Sequence, residues 1–148
     1  MNTLKPLRSL LMPLLLAAST WAGAGDWVVV ANPKAGIARL TQDEVINIYL
    51  GRYRRLASGV TAEPIDQSAD STLKEQFYRQ LVGKSQAEIN AYWARLVFSG
   101  KTLPPRVVSG SDEAMQRVAR HPGTLAYIER SQVDTRVTVV FEMRGGNE

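Results

Sequence analysis

The sequence predicts a three-layer α/β domain, with a mixed, mostly parallel sheet of about five strands and helices on both faces. Three observations predict it. Short apolar runs rich in β-branched residues alternate with longer segments whose apolar residues recur at helical spacing. Two of the longer segments open with a capping box, Thr41-x-x-Glu44 and Ser85-x-x-Glu88. The first run, Trp27 to Ala31, is apolar without alternation, the pattern of a strand covered on both sides in a parallel sheet.

Ahead of that run, residues 1–24 read as a secretory signal peptide. Lys5 and Arg8 form a basic start, and Leu10 to Leu16 an apolar stretch broken by Pro13. Ala22-Gly23-Ala24 supplies the small residues of a cleavage site, with cleavage expected after Ala24 and export through the Sec pathway to the periplasm. The apolar stretch is shorter than the roughly 20 residues that span a bilayer. Residues 25–143 then form one α/β domain, and 144–148 a disordered tail.

Within the domain, Asn32-Pro33 ends the first strand. Thr41 opens a helix through Val45, Ile48 and Tyr49 that Gly51 stops. Ala62 to Asp66 reads as a second strand with Pro64 near its start, and Gln67 to Asp70 as a polar loop. Leu73, Phe77 and Leu81 line a second helix ended by Gly83. Ile89, Tyr92, Trp93, Leu96 and Val97 mark the apolar face of a third. Val107-Val108 is a short strand. Ser111 is expected to cap a fourth helix with Met115, Val118 and Ala119 facing inward, ended by Pro122-Gly123. Leu125 to Ile128 and Arg136 to Glu142 are the last strands. Sheets of this kind place ligands at strand carboxyl ends, near helix N-termini.

Composition removes much chemistry. The 148 residues include no Cys and one His, which excludes disulfides, thiol catalysis, iron–sulfur clusters and multi-histidine metal sites. His121 precedes Pro-Gly at a helix end, where a cation caps the last turn, and no nucleophile motif or P-loop is present. No enzymatic activity, cofactor or metal is expected. Without residues 1–24, sixteen cations face fourteen carboxylates, so the charge does not point to nucleic acid. Arg52, Arg54 and Arg55 follow the first helix; they suit a solvated helix end or the surface for an anionic partner or a membrane.

Five segments, in order, resemble the phosphate-type periplasmic substrate-binding proteins: Val28 to Asn32; Leu40-Thr41-x-x-Glu44 leading to Ile48-Tyr49-Leu50-Gly51; Ser71 with Phe77 six residues on; Phe98-Ser99-Gly100 with Pro104-Pro105; and Pro122-Gly123-Thr124-Leu125-Ala126-Tyr127-Ile128. The resemblance implies one lobe of a type II periplasmic-binding-protein-like fold and recognition of a small, phosphate-like anion for uptake or sensing. It implies a shelf of Asn32, Gln67, Ser68, Ser71 and Thr72, without a cofactor. The family pattern has an Arg four residues before its Ser and a Gly just before it; Gln67 and Asp70 stand there in this chain. A membrane transporter or sensor would be the partner, and a homodimer could supply the missing lobe. The alternative reading is a ligand-free periplasmic module that binds a sensor, channel or transport complex, with Arg52, Arg54 and Arg55 as its surface.

Overall fold

The computed structural model describes residues 26–143; the expected signal peptide and tail lie outside them. Nine main elements follow in order: β1 (Trp27–Ala31), α1 (Gln42–Tyr49), β2 (Glu63–Gln67), α2 (Thr72–Val82), α3 (Gln86–Phe98), β3 (Arg106–Val108), α4 (Ser111–Arg120), β4 (Thr124–Glu129) and β5 (Thr138–Glu142). They build an open five-stranded sheet in the order β3-β2-β4-β1-β5.

Strands β2, β3 and β4 run parallel, whereas β1 is antiparallel to both of its neighbours, β4 and β5. The apolar run 27–31 is therefore buried on both faces, as expected, but in the opposite direction from the expected parallel strand. Burial on two faces follows from helices above and below, whichever way the strand runs. Helices α2 and α3 follow each other directly, as do strands β4 and β5, in the order the sequence reading gives them.

Two apolar layers flank the sheet. On one face, α1, α2 and α3 bury Val45, Ile48, Tyr49, Phe77, Leu81, Ile89 and Trp93 against Trp27, Val29, Leu125 and Tyr127. On the other, α4 buries Ala114, Met115 and Val118 against Val28, Val30, Ala126 and Ile128. Phe77 centres the larger layer. Its ring stacks on Tyr127 at 3.9 Å and meets Trp27 and Tyr49 edge-on at 4.8 Å. Such ring pairs contribute about 0.5–1.5 kcal/mol each beyond area burial.

The helix ends explain why these segments are helices. Both capping boxes form, with Thr41 and Glu44 closing α1 and Ser85 and Glu88 closing α3. Gly83 ends α2 in the left-handed conformation. The fourth helix differs from expectation. Gly110 occupies its N-cap and Ser111 is its first helical residue; Glu113 folds back to accept from the Ser109 N–H and hydroxyl. Val97, expected on the inner face of α3, is exposed.

These end contacts have a pH signature. Hydrogen bonds from the Ser85 and Ser109 backbone hold the Glu88 and Glu113 carboxyls below their ordinary range, and bonds from Arg136 and Arg130 do the same for Asp134 and Glu142. Groups with depressed folded values stabilise fully at neutral pH, and that stability is lost as pH falls through the folded values. Acid titration followed by circular dichroism should show stability falling from the ordinary carboxylate range downward, until these groups are protonated in the folded state, with Glu88→Gln and Glu113→Gln together flattening the fall.

Candidate functional site

Strand β2 ends at Gln67, and the chain turns through Ser68, Ala69 and Asp70 into α2. Gln67, expected in the loop, is the last residue of the strand and is buried. Ser71, not Asp70, caps the helix: its hydroxyl accepts from the Lys74 N–H at 3.2 Å. Asp70 instead accepts from the Ser68 hydroxyl at 2.6 Å, a bond that lowers its pKa. A shared hydroxyl donor competes well with helix N–H groups when the loop brings it closer.

The structure brings Gln67, Ser68, Ser71 and Thr72 together at the α2 N-terminus, but their polar atoms are largely engaged. The Gln67 amide donates to the Tyr127 carbonyl at 3.1 Å and to the Ser111 hydroxyl at 3.4 Å, and accepts from the Ser71 hydroxyl at 3.0 Å. The Thr72 and Leu73 N–H groups have no acceptor among the described residues. Thr72 is exposed. A helix N-terminus of this kind offers N–H groups and a positive dipole end to an anion.

Asn32 is elsewhere. Because β1 runs antiparallel, its end pairs with the start of β4, with Ala31 opposite Leu125. Glu63 is likewise level with Thr124 at the start of β2. Asn32 is thus about 13 Å from Gln67 along the strand direction, at roughly 3.3 Å per residue. Its amide donates to the Val118 and Ala119 carbonyls at 2.8 and 3.0 Å and its oxygen accepts from the Lys34 N–H, tying the end of α4 to β1. Arg52, Arg54 and Arg55 also lie at that far end, all exposed.

Beneath the α2 N-terminus lies a polar cluster that the sequence reading did not single out. Asp66, 4% exposed, takes an ion pair from the Lys74 ammonium at 3.2 Å. It also accepts from the Tyr78 hydroxyl at 3.0 Å, from the Tyr127 hydroxyl and from the Gln67 N–H at 2.9 Å. Burial, then the Asp66 charge, pushes the Tyr78 and Tyr127 hydroxyls well above the usual phenol range. The same causes raise Tyr49. All three therefore remain neutral donors. The available signal was Lys74 and Tyr78, four residues apart and immediately beside the Leu73–Phe77–Leu81 stripe.

Chemically, the donors left to meet a small oxyanion are the Thr72 and Leu73 N–H groups and the Thr72 hydroxyl, since the Ser68 and Ser71 hydroxyls already donate to Asp70 and Gln67. The nearby cation, Lys74, is neutralised by Asp66. No group of His, Asp and Glu suited to a metal occurs among the described residues. No helix of the described residues is long and apolar enough to cross a membrane.

No family model and no curated protein matches this chain. Solved structures do. An ABC-type phosphate transport receptor from Vibrio cholerae matches 78% of this chain and 45% of its own at 15% identity and a TM-score of 0.62. A putative phosphate ABC transporter substrate-binding protein from Clostridium perfringens, solved with bound phosphate, matches 78% of this chain and 44% of its own at 17% identity and 0.62. PstS from Borrelia burgdorferi matches 78% and 46% at 12% identity and 0.59. The chain thus spans less than half the length of these proteins, and over that length it has the fold of phosphate ABC transporter substrate-binding proteins.

Proposed function

We propose that this chain is an exported solute-binding lobe that recognises a small, phosphate-like oxyanion at the N-terminus of α2 and serves a membrane transporter or sensor. The observation that carries the reading is the pair of unengaged N–H groups, Thr72 and Leu73, at a helix start beside Ser68 and Ser71, on a fold shared with phosphate receptors. Backbone N–H groups and the helix dipole supply the attraction that a guanidinium at position 67 would otherwise add. Gln67 acts as a positioning residue, holding the Ser71 cap to the sheet at Tyr127.

Asp70 opposes the anion. Two unit charges 4 Å apart repel by about 1 kcal/mol in water and about 4 kcal/mol at an effective dielectric near 20. Calorimetry of residues 25–148 with phosphate at low salt should give saturable binding, weaker for sulfate. Asp70→Gly should tighten phosphate at least about fivefold, by removing the charge and freeing the Ser68 hydroxyl. Absence of heat at millimolar phosphate in both proteins would end the anion reading. It would leave the ligand-free interaction module, which the engagement of Gln67 and Ser71 with each other favours.

A further inference from the structure

The end of the sheet away from the α2 N-terminus has a different chemistry. There the turn after α1 and the connector from α3 to β3 form one tip. Arg54 donates to the Lys101 carbonyl at 2.9 Å, and the Tyr92 hydroxyl donates to the Leu50 carbonyl at 2.7 Å. Gly51, at φ +73°, lies so close to the Trp93 ring that a Cβ there would come within 2.8 Å of it. Between the two segments and the starts of β2 and β3 is an open groove of about 660 Å³, lined by Tyr53, Arg54, Lys101, Leu103 and Arg106 among others.

Residues 45–62 and 89–111 together hold six cations and no carboxylate. Arg52, Arg54, Arg55, Lys101 and Arg106 are exposed, and the ion pairs among the described residues involve none of them. Glu63 is the single carboxylate lining the groove. Four of the exposed large apolar side chains collect at the same place: Tyr53, Val97, Phe98 at 96% and Leu103 at 77%; Val107, level with Asp66, lies further along β3.

Apolar side chains standing singly on a tip, ringed by five exposed cations against the single carboxylate of Glu63, fit an anionic lipid surface. Cations gather at lipid phosphates, Phe and Leu enter the headgroup boundary, and Tyr favours the interface. A protein interface would instead present a flatter apolar centre. A second copy meeting this face would oppose like charges. We infer that this tip docks the domain on an anionic lipid surface, with a headgroup phosphate in the groove between Arg54, Lys101 and Arg106, and Phe98 and Leu103 inserted at the interface. The inference is independent of the anion reading, which concerns the opposite end of the sheet.

The test is co-sedimentation of residues 25–148 with phosphatidylcholine vesicles, with and without about 30% phosphatidylglycerol, at low salt. Binding should be at least tenfold stronger with phosphatidylglycerol and should weaken as salt rises. Lys101→Glu with Arg106→Glu should lower it at least tenfold, and Phe98→Ser several-fold, with unchanged circular dichroism. Asp70→Gly should leave it unaltered, which separates this surface from the anion shelf. Equal binding to both vesicles, no binding, or full binding by the charge-reversed variant would overturn the proposal. So would capture of poly-glutamate without capture of phosphatidylglycerol vesicles, which would assign the tip to an acidic protein.

Discussion

Asp66→Ala should destabilise the domain by about 3–5 kcal/mol, the cost of leaving a buried cation without its partner. Lys74 is 7% exposed, and its ammonium is paired with the Asp66 carboxylate in the structure. The substitution also removes the acceptor for the Tyr78 and Tyr127 hydroxyls. For a domain of this size the melting temperature should fall by on the order of 10–20 °C. Lys74→Met alone should cost less, and Lys74→Met in the Asp66→Ala background should restore part of the loss, because a neutral apolar side chain has no charge to solvate. Urea denaturation of the four proteins would measure the coupling. Additive effects, or an Asp66→Ala melting temperature within about 3 °C of the parent, would show that the pair is not a buried ion pair.

That cluster bears on ligand recognition as well as stability. The family pattern keeps an Arg at the strand end where this chain has Gln67. Here Lys74, in the first turn of α2, is bound to Asp66 below the surface. The shelf above is left with neutral donors and the Asp70 charge. An anion bound there would be held by the helix start alone, and an open single lobe covers little of it. Modest affinity, sharply sensitive to Asp70, is what this arrangement should show.

The helices were readable because their determinants are local. Capping boxes, stop glycines and helical spacing lie within a few residues of one another, and α1, α2 and α3 begin and end where these signals stand. Strand β2 was less readable. Its segment Glu-Pro-Ile-Asp-Gln holds one aliphatic residue besides Pro, and it is a strand because β3 and β4 pair with it on both sides. Direction is not encoded locally at all. The apolar run 27–31 looks the same in either orientation, and assigning it parallel is what joined Asn32 to a shelf at the other end of the sheet. Asp66 escaped notice because its partners at 74, 78 and 127 are distant in sequence, and an isolated Asp near a turn reads as surface.

Gly123→Ala should be the most damaging single-methyl change, costing at least about 3 kcal/mol, at the upper end of overpacking effects. A Cβ at Gly123 would lie 2.1 Å from the Thr61 carbonyl oxygen and 3.3 Å from a Val60 methyl. The contact is with backbone, which no rotamer change can relieve. Nor can the segments separate freely, since Glu63 N–H donates to the Gly123 carbonyl at 2.8 Å and Thr61 bridges to Arg55. Moving them apart would shift the start of β2, a strand paired on both sides. Gly110 is the control: its backbone is extended and nothing lies within 4 Å of a Cβ there, so Gly110→Ala should cost less than about 1 kcal/mol, chiefly as a weaker N-cap. Comparable melting temperatures for the two variants would mean that the strands do not approach at Thr61. A large gap would give Gly123, in the Pro-Gly-Thr segment that resembles the family pattern, a purely architectural reason. Any phosphate bound at the α2 N-terminus would then be held in a Gly123→Ala protein that remained folded in the cold as tightly as in the parent.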